Sequence, residues 1–132
     1  MRPSFLKKNI IQLEDCEVNN DVYYALQVGH KAEKIKVIPD ELYYYMINDN
    51  SITHKKRTIE REFLFYIQVQ KRNGLYKALG LMHYPFFRPT YLYVPFLIKK
   101  KGIGGMIDFF KYLRNHQEEV LEARKAYLSI LD

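Results

Sequence analysis

The stretch that most constrains the fold is "FLFYIQVQKRNGLYKALGLM", residues 63–82. Phe63, Phe65, Ile67 and Val69 alternate with Leu64, Tyr66, Gln68 and Gln70. A period of two predicts a strand with one face buried. Asn73-Gly74 then reads as a two-residue hairpin turn, because both positions tolerate positive φ. "LYKALGLM" returns as the paired strand, "HYPFFRP" is a proline-broken loop, and "TYLYV" alternates again as a third strand that Pro95 ends.

Around this meander the periodicity changes. "FLKKNIIQL" reads as a short first strand. Asp21 caps a helix through "VYYALQVGHKAEKI", and Pro39, Asp40 and Glu41 suit the first turn of another through "IPDELYYYMINDN". On that second helix Tyr43, Tyr44 and Tyr45 lie about 100° apart, so at least one of them faces outward. Ile103, Met106, Ile107, Phe110 and Leu113 recur at three and four residues and predict an amphipathic helix. "AYLSILD" closes the chain as a last strand or as the helix end. The expected architecture is α+β, with a mostly antiparallel central sheet and flanking helices in a single domain over 1–132.

Composition narrows the function classes. With Cys16 as the one cysteine there is no intramolecular disulfide, and the four scattered histidines show no zinc-like spacing. No apolar run approaches the roughly 20 residues of a membrane helix, and no signal peptide is evident at the start. The expectation is a cytoplasmic protein without a membrane partner. A net charge of +6 favours anionic partners.

"FLIKKKGIGGMIDFF", residues 96–110, concentrates that charge. A glycine-rich turn opening a helix can hold a phosphate, because the first helical N–H groups point outward and the helix dipole adds positive potential. The segment Leu92 to Leu113 resembles the central motif of the GNAT N-acetyltransferases. There a strand, a short link with a proline and Arg/Gln-x-x-Gly-x-Gly/Ala open a long helix. Lys99, Gly102 and Gly104 fall on the three signature positions, with Lys99 departing from the usual Arg or Gln.

The resemblance implies acetyl-CoA as cofactor. It places the pyrophosphate on the backbone from Lys99, Lys100 and Lys101 through Gly102, Ile103 and Gly104 to Gly105. It sets the acetyl carbonyl beside Val94, and it makes a small-molecule or protein amine the acceptor. His83 and Glu62 are the candidate bases. His83 carries an imidazole, the side-chain type suited to proton transfer near neutrality. The family often carries a tyrosine in its C-terminal region that reprotonates the departing thiolate, and Tyr127, the one tyrosine beyond the motif helix, is the candidate here. A homodimer that completes the family's C-terminal strands is compatible with this reading.

The same glycines support two other readings. "GIGG" satisfies the GxxG pattern of KH domains, in which a helix–turn–helix loop clamps a single strand of RNA or DNA. The segment before it, however, reads as a strand. Tyr66, Tyr76, Tyr91 and Tyr93 on a sheet could alternatively stack bases. In the third reading the glycines are a loose turn among solvated lysines. The chain is then a small non-enzymatic interaction protein, such as an inhibitor or adaptor of a mobile element.

Overall fold

The computed structural model describes residues 3–9, 11–13, 20–41 and 58–131. Among them the regular structure is all helix, with no strand. In chain order the helices are α1 (Pro3–Asn9), α2 (Asn20–Lys31), α3 (Ile59–Ala78), α4 (Tyr93–Asn115), α5 (Gln117–Lys125) and α6 (Leu128–Leu131), with a 3-10 turn at Thr90–Leu92 leading into α4. The expected α+β architecture with an antiparallel central sheet is therefore corrected to an all-helical one. The first strand at 5–13 is α1 and the three residues after 10, and all three meander strands dissolve into helix, loop and 3-10 turn. The helix expected from Pro39 through the tyrosine run falls mostly outside the described residues.

Helix α3 replaces the hairpin, and local chemistry accounts for it. Thr58 sits in extended backbone ahead of the helix, and its hydroxyl accepts a hydrogen bond from the Arg61 N–H at 3.3 Å. Glu60 and Glu62 follow in the first turn, where negative charge suits the helix dipole. Asn73 and Gly74 lie inside the helix and make no turn. The glycine that ends it is Gly80, at φ +70°. The Leu81 N–H reaches the Tyr76 carbonyl at 2.8 Å and the Gly80 N–H reaches that of Lys77 at 3.2 Å. Those two bonds form a Schellman motif, which satisfies carbonyls that the helix end leaves over.

The buried face of α3 is half polar. Phe63, Tyr66 and Leu75 are buried, and so are Arg61, Glu62, Gln68, Gln70 and Asn73. Each of these polar groups needs a partner, because an unsatisfied buried group costs free energy. Gln70 accepts from Arg124 Nε of α5 at 3.0 Å. Asn73 grips the loop after α3: its Nδ2 donates to the Arg88 carbonyl at 2.7 Å, and its Oδ1 accepts from the Arg88 N–H at 3.2 Å. One side chain thus supplies both halves of a backbone pairing and holds 81–89 against the helix. Asn73→Ala should lower stability by about 1–2 kcal/mol in urea unfolding, and limited proteolysis should then cut first within 81–89. A variant as stable and protease-resistant as the parent would count against the clamp.

The larger core lies between α3, α4 and α5. Phe63, Tyr66, Leu97, Phe109 and Val120 are buried together. Tyr66 meets Phe109 edge-on at 5.7 Å and Tyr93 at 5.1 Å, while Tyr93 and Phe109 lie parallel at 6.4 Å. Edge-to-face and offset arrangements of this kind favour the ring quadrupoles. A smaller core joins Tyr23 of α2, Leu75 of α3 and Ile130 of α6.

The amphipathic helix expected from Ile103 onward is present, but its inward face differs. Phe109 is buried, whereas Ile103 is 64% and Ile107 45% exposed.

Candidate functional site

Helix α4 is broken at its glycines. Gly102 has φ 72° and ψ 178°, so 93–101 and 103–115 are two helical segments meeting at a corner. That backbone geometry is nearly restricted to glycine. Nothing lies within 4 Å of a Cβ placed at Gly102 or Gly104, so the corner is open to solvent. Gly102→Ala should therefore cost about 1–2 kcal/mol through backbone strain alone, read as a lower urea midpoint. An unchanged midpoint would mean that the corner straightens without penalty.

The corner differs from the strand–turn–helix unit that the acetyltransferase resemblance implies. A helix precedes the glycines where that resemblance requires a strand. Lys99, Lys100 and Lys101 occupy the last turn of the first segment, with their N–H groups turned into that helix. Their ammonium groups suit the negative end of its dipole. Ile103, Gly104 and Gly105 start the second segment, where N–H groups run out of intrahelical partners. Val94 sits in the first turn of α4, half-buried, and no edge strand exists there to polarise a carbonyl.

The three candidate acid–base residues do not converge. Glu62 is 1% exposed and lines a groove between α3 and the start of α4. His83 is exposed in the loop after α3, its ring 5.4 Å from that of Tyr84. Tyr127 lies between α5 and α6 and borders a different cleft, with Gln70, Lys77 and Arg124. Only Glu62 connects with the glycine corner, through Phe96: that ring forms part of the groove wall, and Lys100 Nζ stands 4.8 Å above it.

Sequence reasoning missed the residues that define the groove. It encloses about 470 Å³, with Phe65 and Val69 on one wall, Leu92 and Phe96 on the other, and Arg72 and Arg88 at one end. Burial pushes the Arg72 guanidinium below its ordinary pKa, and Arg88 pushes it the same way, while Tyr76 and Tyr93 oppose them. A signal was available. No Asp or Glu occurs between Glu62 and Asp108, whereas that stretch holds Lys71, Arg72, Lys77, Arg88 and Lys99 to Lys101.

Among the described residues no cluster of His, Cys, Asp and Glu is placed to hold a metal, and no helix is long and apolar enough to cross a membrane. Compared with protein-family models, curated proteins and solved structures, the chain matches none. The resemblance to GNAT acetyltransferases thus finds no support from a family and is contradicted by the helical fold.

Proposed function

We propose that the chain is a binding protein for single-stranded nucleic acid, with the glycine corner of α4 as its contact to the phosphate backbone. The observation that carries this reading is the open break at Gly102, which sets the first glycine of GIGG between two helical segments and Ile103, Gly104 and Gly105 in the exposed first turn of the second. A GxxG turn so placed lets a nucleic-acid backbone approach the chain closely. The N-terminal end of 103–115 offers N–H groups and positive potential, and Lys99, Lys100 and Lys101 precede it. The acid-free stretch around the corner supports an anionic partner, as does the net charge of +6. The sheet of a KH domain is absent from the described residues, so the proposal concerns the corner alone.

The test is fluorescence anisotropy of a labelled oligo-dT and oligo-U over a series of salt concentrations. Three phosphates neutralised by three lysines give a slope of roughly −2 in log K against log salt. Replacing Lys99, Lys100 and Lys101 with Gln should flatten that slope and weaken binding at least tenfold. Gly104→Glu, which sets a carboxylate at the open helix end, should do the same with no loss of stability. Acetyl-CoA is the comparator, because it offers a pyrophosphate without a polymer backbone. If neither oligonucleotide binds at low salt, the reading is wrong. Binding of acetyl-CoA alone would restrict the corner to small phosphate ligands.

A further inference from the structure

The α3–α4 groove has features that the nucleic-acid reading does not use. Arg72 is half-buried, and its Nε is enclosed without a hydrogen-bond partner among the described residues. Burying an N–H of a cationic group with no acceptor is unfavourable, so an anion held in the groove by the same guanidinium would offset part of that cost. Arg88 lines the same groove, and its charge acts against that of Arg72. Its backbone is fixed there by the Asn73 clamp. Two guanidinium groups facing one space match a carboxylate, which each can bind through paired N–H groups.

The rest of the groove is apolar. Phe65 and Val69 come from α3, and Leu92 and Phe96 face them from the start of α4. Glu62 lies at the other end, ten residues back along α3 from Arg72, or roughly 15 Å at the helical rise. A ligand with an anion at one end is thereby oriented: its charge goes to the arginines and its apolar body runs toward Glu62. The volume of about 470 Å³ falls within the usual range for small-molecule sites.

We propose that this groove binds an amphipathic carboxylate, a medium-length alkyl or arylalkyl acid, with Arg72 and Arg88 on the carboxylate and Phe65, Val69, Leu92 and Phe96 around the chain. The site adjoins the glycine corner only through Phe96, over which Lys100 Nζ stands, and it takes a small molecule rather than a polymer.

Decanoate is the probe, with decanol and acetate as comparators, titrated calorimetrically into the full chain. Decanoate should bind, and each comparator should bind at least tenfold more weakly, since one lacks the charge and the other the chain. In a 15N-resolved spectrum the Arg72 Nε–H resonance should shift as decanoate saturates. Arg72→Met keeps the bulk and removes the charge. It should weaken decanoate at least tenfold while leaving the melting temperature unchanged or raised, which loss of a merely structural arginine would not do. Arg88→Leu, at an exposed side chain, serves the same purpose if Arg72→Met does not fold. Equal affinity for decanoate and decanol would overturn the proposal. So would an Arg72 Nε–H that does not move at saturation, or no decanoate binding at all.

Discussion

Phe109→Ala is expected to lower the unfolding free energy by about 3–5 kcal/mol. The side chain is wholly buried at the centre of the larger core, against Tyr66, Tyr93 and Phe110. Truncation removes the transfer free energy of the ring and leaves a cavity that three other rings cannot easily fill. Domains are stable by only about 5–15 kcal/mol, so the variant should lie near the edge of folding. Urea unfolding measures it, with a lower midpoint and a similar slope. Ile103→Ala on the same helix is the control, since that side chain is mostly exposed and should cost about 0.5 kcal/mol or less. Equal losses in the two variants would mean that α4 does not pack on its neighbours through Phe109.

Gly74→Val should cost roughly 3 kcal/mol, the upper end for overpacking a close contact. A Cβ at this position would meet the Arg124 carbonyl oxygen at 2.5 Å and the Tyr127 ring at 3.2 Å. The nearer obstacle is backbone, which cannot rotate aside, so α3 and α5 would have to separate. The Gln70–Arg124 hydrogen bond spans the same seam and would stretch with it. Gly74→Ala tests the sign. In an exposed helix, alanine is favoured over glycine by up to about 1 kcal/mol. At Gly74 it should destabilise. At Gly104, where a Cβ meets nothing within 4 Å, it should stabilise. Gain at both positions would remove the close approach of the two helices.

These two positions show why the fold was only partly legible. The helical period is visible around Phe109, although Phe109 itself falls outside the expected stripe of Ile103, Met106, Ile107, Phe110 and Leu113; helices are present after Asp21 and through 103–113. What the period could not settle was which way that helix turns. Ile103 and Ile107 are as apolar as Phe109, but the partner face presented by Tyr66 and Phe63 draws the aromatic residues inward. At Gly74 the reading failed for a different reason. Alternation in 63–70 is real in the sequence, yet Gln68, Gln70 and Asn73 are buried, so polarity no longer marks exposure. With polar residues on the inner face, a helical repeat of 63, 66, 70 and 73 looks like a strand and a turn. The start signal, Thr58 followed by Glu60 and Glu62, was present ahead of it and outweighs the alternation.

The candidate site divides in the same way. The sequence reads as a glycine-rich turn over 99–105 that opens a helix; the break is at Gly102, with Lys99 to Lys101 inside the helical segment before it. The strand expected before it is replaced by a 3-10 turn and helix, as "TYLYV" is too short for its alternation to exclude a helix start. Arg72 and Arg88 were not identified at all. They are sixteen residues apart, and only the fold of the loop after α3 brings them together.

The α3–α5 seam has a consequence for the order in which the chain opens. Helix α3 packs most extensively on α5, its partner across an intervening loop and the whole of α4. Amide protons of those two helices should thus exchange with solvent as one cooperative block, released only by global unfolding. Those of α2, which touches α3 over a smaller area, should exchange earlier. Closing the long loop between the partners first costs chain entropy that local helix contacts do not. Refolding should therefore be limited by the meeting of α3 with α5, well after either helix has begun to form.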